Sequence, residues 1–419
     1  MIQRIKGTQD LLDLSLFNFF IAHVKQHLGR YNFNEIITPI LEPLELFKRT
    51  LGTETDVVSK EMYSIKAADN EEEYICLRPE ATAPTMRAFL NNGIQEKPWK
   101  VFSYGPMFRH ERPQKGRYRQ FNQVTIEMIG AAPIAHDAAL IMMLDRFFHE
   151  ILLLDSYALL INFLGCAEDR KKLKEALHTF LEKNIEGICS DCKIRKEKNI
   201  LRVFDCKKET CQALYKNAPK PTDFLCTECR QEWTQLQNTL EELSVSFTHQ
   251  PTLVRGLDYY DKTVFEFVSL ELGAQNAFCG GGRYDGLAPL LGARENIPSI
   301  GAAMGIERIL LMLEKNKDKL PIEHKKQLIA IAPLSEEQHT LALLIADQLQ
   351  MNNKTVEVFL DKASIKSMMR AANNMGAAYC IIIGPEEQAQ NMVTLKNMTT
   401  GLEQKINQID ILKEVSSLR

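Results

Sequence analysis

Apolar residues recur at helical spacing from Leu16 to Tyr31 (LFNFFIAHVKQHLGRY), which predicts an amphipathic helix. The helix leads into FNEIITPILEP, a strand ended or edged by Pro39 and Pro43. Past Phe121 the pattern changes to apolar–polar alternation at Val124, Ile126 and Met128, the period of a strand. Strand-like runs follow in TVFEFV and in CGGGR, and GAAMGIERIL carries Arg308 at the start of an apolar helical run. Between them, residues 167 to about 250 open with a charged helix, EDRKKLKEALHTFLEKN. EKNKDKLPIEHKK, from Glu314 to Lys326, reads as a polar linker. Beyond it QLIAIAPL, TVEVFL and AYCIIIG are strand-like runs separated by helical stretches, a small α/β domain.

Charge changes this picture locally. Arg109, Arg112, Lys115, Arg117 and Arg119 fall within eleven residues, against the single acid Glu111. Pro113 and Gly116 lie among them, so the segment reads as a loop between two strands. A cationic loop followed by a strand bearing Glu127 could hold a polyphosphate and keep a carboxylate for a second ligand; alone, it also fits a solvated charged hairpin. LVRGLDYY places Arg255 beside Gly256, where backbone can approach a ligand, and puts Tyr259 and Tyr260 before a strand. Three glycines before Arg283 suggest a strand lying flat against a bound molecule. Guanidinium groups suit phosphate oxygens better than lysine does. The combination of these segments favours polyphosphate binding.

LRPEATA, FRHERPQKGRYRQF, LVRGLDYY, GGGRYDGL and GAAMGIER together resemble, in order and spacing, the signature segments of the histidyl-tRNA synthetases, a class II family. The resemblance runs from Lys6 to the C-terminus. It implies an α+β class II catalytic core built on an antiparallel sheet, residues 1–166 and 251–320. It also implies a helical insertion domain at 167–250 and a C-terminal α/β anticodon-binding domain at 327–419. The implied reaction is ATP-dependent activation of L-histidine to histidyl-adenylate with Mg2+, then transfer to tRNA(His).

Residue roles carried over with the resemblance begin with Arg109 and Arg255 as catalytic groups on the α-phosphate, Arg255 also meeting the histidine carboxylate. Arg308 falls near the γ-phosphate, and Glu111 and Phe121 frame the adenine. Glu80, Thr82 and Gln123 match acceptors of the ammonium group. Glu127 and Tyr260 reach the two imidazole nitrogens, with Tyr259 beside them and Tyr284 closing the pocket. Arg112 and Gln114 are expected at the tRNA acceptor end. Ala81 stands where the family usually has glycine, which would cost something if the position needed positive φ.

Six of the ten cysteines fall between Cys189 and Cys229. The pairs CSDC and CTEC have metal-ligand spacing, so Cys189, Cys192, Cys226 and Cys229 form a candidate zinc site, with Cys211 as a substitute ligand. Cys206 is expected to be a small buried residue.

The net charge of −3 excludes a polyanion-binding molecule as a whole, and residues 327–419 hold eight Lys/Arg against ten Asp/Glu. Their assignment to the anticodon rests on resemblance alone. No run of apolar residues is long enough for a membrane span, and MIQRIKGTQDLLD lacks the apolar core of a signal peptide, so a cytoplasmic protein is expected. The helix at Leu16–Tyr31 and the strand after it match the dimer interface of class II enzymes, although a helix packed on its own core fits as well. Two rival readings are a silent regulatory relative that binds histidine as a signal, and an RNA-binding or signalling module. Both would have lost part of the set Arg109, Arg255 and Arg308.

Overall fold

The computed structural model describes residues 2–52, 55, 57–66, 74–273, 276–322, 327–361 and 364–417. It divides into two compact units, Met1–Leu320 and Pro321–Arg419.

The first unit is organised by an eight-stranded sheet. In chain order its strands are β1 (Asn34–Glu35), β2 (Trp99–Phe108), β3 (Gln120–Ile129), β4 (Ala158–Phe163), β5 (Thr248–His249), β6 (Asp261–Val268), β7 (Ala277–Arg283) and β8 (Ser299–Gly305). They lie side by side as β1-β2-β3-β8-β7-β6-β4-β5. The six central strands, β2 to β4, are antiparallel throughout, as expected. Only the two-residue edge strands β1 and β5 pair in parallel. The strand read in FNEIITPILEP is therefore split. Asn34–Glu35 joins the large sheet, while Leu41–Pro43 joins a separate three-stranded sheet with Tyr74–Leu77 and Ser64–Lys66.

Helices cover the sheet. The Leu16–Tyr31 periodicity becomes α1 (Ser15–Arg30), which buries Leu16, Phe19, Phe20, Ile21, Val24 and Leu28. α2 (Thr82–Asn91) begins directly after the LRPEA segment, and α3 (Ala135–Arg146) follows β3. From β4 to β5 the chain is helical: α4 (Ala167–Lys183), α5 (Ser190–Lys198), α6 (Glu209–Tyr215) and α7 (Thr227–Glu242). Part of this stretch packs on its own core, made by Leu177, Leu181, Ile188, Val203 and Tyr215 with cysteines among them. α8 (Ile306–Leu313) leaves β8 with its apolar face buried. The expected linker opens with a 3-10 helix over Glu314–Lys319, and its residues 323–326 lie outside the described ones.

The second unit is a five-stranded sheet flanked by α9 (His339–Met351) and α10 (Ile365–Asn374). Its strands β9 (Leu328–Pro333), β10 (Thr355–Val358) and β11 (Ala377–Ile383) are the three read from the sequence, and they pair in parallel. Two further strands, β12 (Met392–Asn397) and β13 (Glu403–Asn407), extend the sheet antiparallel. Their polar, short alternation hid them. Among the described residues no helix is long and apolar enough to cross a membrane.

Candidate active site

The site grows out of one pairing. Gln123, Thr125 and Glu127 point to one face of β3, since side chains alternate along a strand. Opposite them on β8 stand Gly305, Ala303 and Gly301. A strand with almost no side chains thus lies beside one that carries three polar groups, and the space left is the floor of a cleft of about 400 Å³. Gly280 on β7, paired with Ala303, extends that floor. The sequence reading took the glycine triplet as room for a ligand. The room at Gly280 goes first to a protein group, because a Cβ there would come within 2.6 Å of the Arg255 guanidinium. At Gly301 a Cβ would overlap the Glu127 carboxylate.

The cations come from three elements. Arg109, at the end of β2, donates from Nε to the Pro79 carbonyl at 2.9 Å and lies 5.4 Å over the Phe121 ring. Arg308, in the first turn of α8, donates to the carbonyls of Gly116 and Ala277. Burial, then the neighbouring guanidinium groups of Arg109 and Arg117, push its pKa down to about 10. Arg109, Arg117, Arg202, Arg255 and Arg308 all line the cleft, and guanidinium groups so concentrated favour an anion. Arg255 pairs with Glu266 and lies 5.8 Å from the Tyr260 ring centre. Burial opposes its charge, but Glu266 and then the two tyrosines hold it more firmly protonated than usual.

Two buried carboxylates, Glu80 and Glu127, complete the site. Glu80 accepts the backbone N–H groups of Thr82 at 2.6 Å and Ala83 at 3.0 Å, capping α2 with its side chain. Burial raises its pKa, with those N–H groups opposing. Glu127 accepts from the Thr82 hydroxyl at 2.6 Å and from the Tyr284 hydroxyl. Burial pushes the Glu127 carboxyl up to about 8, the two hydroxyls opposing and Glu80 adding to it. Tyr259 stacks beside Tyr260 with ring centres 4.6 Å apart.

Glu80, Thr82, Arg109, Glu111, Phe121, Gln123, Arg255, Tyr259, Tyr260 and Arg308 all line the cleft. Glu127 and Tyr284, each 1% exposed, lie buried beyond its lining rather than on it. Tyr284 therefore grips Glu127 from behind. Arg112 and Gln114 are exposed on the hairpin loop. Ala81 has φ −123°, so its methyl group meets no backbone penalty. Arg283, whose segment suggested phosphate binding, instead spends its donors on Asp137, Asp285 and the Ala131 carbonyl, fully buried.

The expected zinc quartet is corrected. Cys189 and Cys192 gather with Cys206 and Cys211, whereas Cys226 and Cys229 gather with Cys166 and Asp169. The two CxxC pairs open different helices, α5 and α7, so they never meet. Cys206 is buried as expected, but among thiols.

Sequence reasoning missed Thr125, Glu266 and Glu307, which also line the cleft. Glu307 accepts from Asn122 through both its oxygens and so fastens β3 to α8. The available signal was the small residue at every second position of GAAMG. Among the described residues, the buried Gln123 Oε1, Thr125 Oγ1 and Arg255 Nε have no hydrogen-bond partner. Native interiors rarely leave such atoms unpaired, and here three face one space.

Comparison with known proteins agrees with this geometry. A family model described as histidyl-tRNA synthetase matches residues 20–309, and an anticodon binding domain model matches residues 328–418. The histidine–tRNA ligase of Thermosipho melanesiensis is 40% identical over 406 residues, covering 96% of this chain and 95% of its own length. That of Halothermothrix orenii is 42% identical over 417 residues, covering 99% and 98%. The crystal structure of apo S. aureus histidyl-tRNA synthetase superposes with a TM-score of 0.80 at 33% identity, covering 99% of both chains. With an antiparallel sheet, an arginine-rich cleft and matches along nearly its whole length, the chain belongs to the histidyl-tRNA synthetase family, ATP-dependent ligases that charge tRNA(His) through an adenylate.

Proposed function

We propose that this cleft is where L-histidine is joined to ATP, and that its residues divide the work by charge. The carrying observation is the coexistence of the half-buried guanidinium groups of Arg109, Arg255 and Arg308 with three unpartnered polar atoms in one small-residue cleft. The histidine carboxylate attacks the α-phosphorus, the bond to the bridging oxygen breaks, and pyrophosphate leaves. Charge moves onto phosphate oxygens, so fixed cations aimed at them lower the barrier. Arg109 and Arg255 serve the α-phosphate, Arg255 also meets the carboxylate, and Arg308 holds the far end of the triphosphate. Phe121 and Glu111 bound the adenine side. Glu80, Thr82 and Gln123 accept from the ammonium group.

Glu127 and Tyr260 read the imidazole nitrogens, with Tyr259 and Tyr284 holding them in place. Such a site rejects side chains without ring nitrogens, because its polar groups would be left unpaired. Mg2+ neutralises triphosphate charge when bound. Glu266 and Glu307 are cleft carboxylates that would hold it, since Glu266 Oε1 and Glu307 Oε2 each accept from one protein group and keep a second lone pair. Arg112 and Gln114, exposed on the loop, fit the acceptor end of tRNA(His). Residues 1–166 with 251–320 would form the catalytic domain, 167–250 an insertion domain, and 327–419 the anticodon-binding domain. Ile37 is 90% exposed and Ile40 and Leu41 are half-exposed beside the edge strand β1, which supports a homodimer closing that edge. The cytoplasm is the compartment that supplies these substrates.

The experiment is pyrophosphate exchange into ATP with each of the twenty amino acids. Exchange is expected with histidine alone, and Arg255→Ala should lower it by about a thousandfold while the protein stays folded. Histidine binding without exchange would favour the regulatory relative instead.

A further inference from the structure

The helical stretch between β4 and β5 gathers two groups of ligating side chains away from the cleft, and they differ in one decisive respect. In the first, the sulfur atoms of Cys189, Cys192, Cys206 and Cys211 all lie within 4.8 Å of one another. Cys192, Cys206 and Cys211 are buried in the local core. In the second, Cys166, Asp169, Cys226 and Cys229 are equally close, but the carboxylate is already committed. Asp169 accepts the Cys166 N–H at 3.3 Å and the Cys226 N–H at 3.0 Å, which ties the N-termini of α4 and α7 together. That group is explained as a helix clasp.

No comparable explanation accounts for the four thiols. The Cys189 and Cys206 sulfurs are 3.8 Å apart, far beyond the roughly 2.05 Å of a disulfide bond. A tetrahedron with metal–sulfur bonds of about 2.3 Å has edges of roughly 3.8 Å, the separation found here. Spacing this close suits one ion and is too tight for an iron–sulfur cluster, whose cysteine sulfurs stand around several metals. The start of α5 favours a thiolate at Cys189. Cys189 sits at the N-cap of α5 and Cys192 in its first turn, where helix N–H groups favour negative charge. The Cys189 N–H donates to the Cys211 sulfur at 3.3 Å. The Tyr215 hydroxyl lies against the Cys192 thiol, is buried, and makes no well-formed hydrogen bond with any described residue. It is placed to donate to a metal-bound thiolate as an outer-sphere partner.

We propose that Cys189, Cys192, Cys206 and Cys211 bind one structural Zn2+ that fixes the α5–α6 part of the helical stretch. A closed four-thiolate shell leaves no open position for substrate, so the ion organises the fold and takes no part in the reaction. Binding displaces the thiol protons and joins two segments separated in sequence, Cys189–Cys192 and Cys206–Cys211, through the small core they share.

The test uses the full-length protein, prepared with zinc under reducing conditions, and elemental analysis after gel filtration. One zinc per chain is expected for the wild type and for Cys226→Ser. Cys206→Ser should weaken zinc retention by about a hundredfold, measured against a competing chelator. Because Cys206→Ser could also unfold, cobalt substitution of the wild type gives an independent reading. The sulfur-to-cobalt charge-transfer intensity should correspond to four thiolates. A wild type that binds neither metal would overturn the proposal, as would three-thiolate intensity abolished by Cys226→Ser. So would a Cys189–Cys206 disulfide recovered by peptide mapping.

Discussion

At the scale of single residues, Glu127 and Gly301 form a lock. The carboxylate crosses the space where a side chain at 301 would sit, and the hydroxyls of Thr82 and Tyr284 hold it. Gly301→Ala should therefore push Glu127 out of place. Overpacking of this kind costs about 1–3 kcal/mol, readable as a lower urea midpoint, and exchange with histidine should fall far more than stability does. The raised Glu127 pKa has a definite sign. A carboxyl that binds its proton more tightly in the folded state stabilises the fold most below its ordinary value of 4.5. That contribution disappears as pH rises through about 8. Glu127→Gln, which cannot ionise, should gain on the wild type over this window by a few kcal/mol, at roughly 1.4 kcal/mol per pKa unit. Melting curves of both proteins from pH 5 to about 8.5 check it, and parallel curves would contradict the raised pKa. None of this was legible beforehand. Glu127 stood out as an acid in an apolar strand, but Gly301 is 174 residues away in sequence and only strand pairing brings them together.

Among elements, the β2–β3 hairpin and α8 form a clamp lined with like charges. Arg109 and Arg117 come from the hairpin and Arg308 from the helix; burial lowers the pKa of all three, and Arg109 and Arg117 lower that of Arg308 further. An anion between them relieves that repulsion, so inorganic pyrophosphate should raise the melting temperature. At a hundred times its dissociation constant the gain is about 2.7 kcal/mol. Arg308→Ala should lose most of the shift, and calorimetry with and without pyrophosphate reads it directly. Elements with strong periodicity were legible in sequence: α1, the hairpin and β9 to β11 stand where the pattern put them. The glycine strand was legible as a strand, but its ligand turned out to be partly Arg255. Arg283 misled because a charged residue beside glycines resembles a phosphate ligand until Asp137 appears at its side. The zinc quartet failed for a related reason. CxxC spacing names the pairs, but only the path of the chain decides which further thiols return to each.

On the scale of the whole chain, Met1–Leu320 and Pro321–Arg419 each have their own sheet and core. A chain ending at residue 320 should keep histidine-dependent exchange within about tenfold of the intact protein, since every cleft residue is upstream. Charging of tRNA(His) should fall much further, and comparing the two assays on one preparation separates the roles. A truncated protein that charges as well as the intact one would count against the anticodon assignment of 327–419, which charge never supported. The first unit has its own topological economy. The chain leaves the sheet at Phe163 on β4 and returns at Thr248 on β5, the strand next to it, and β5 pairs with nothing else in the sheet. Everything between those points enters and leaves at one edge, with Arg170, Arg202 and Glu232 reaching back to Tyr260, Gly256 and Lys262, and the seven other strands keep their order whatever its length. That edge is a splice port, where a connection of different length could be spliced in without rethreading the fold.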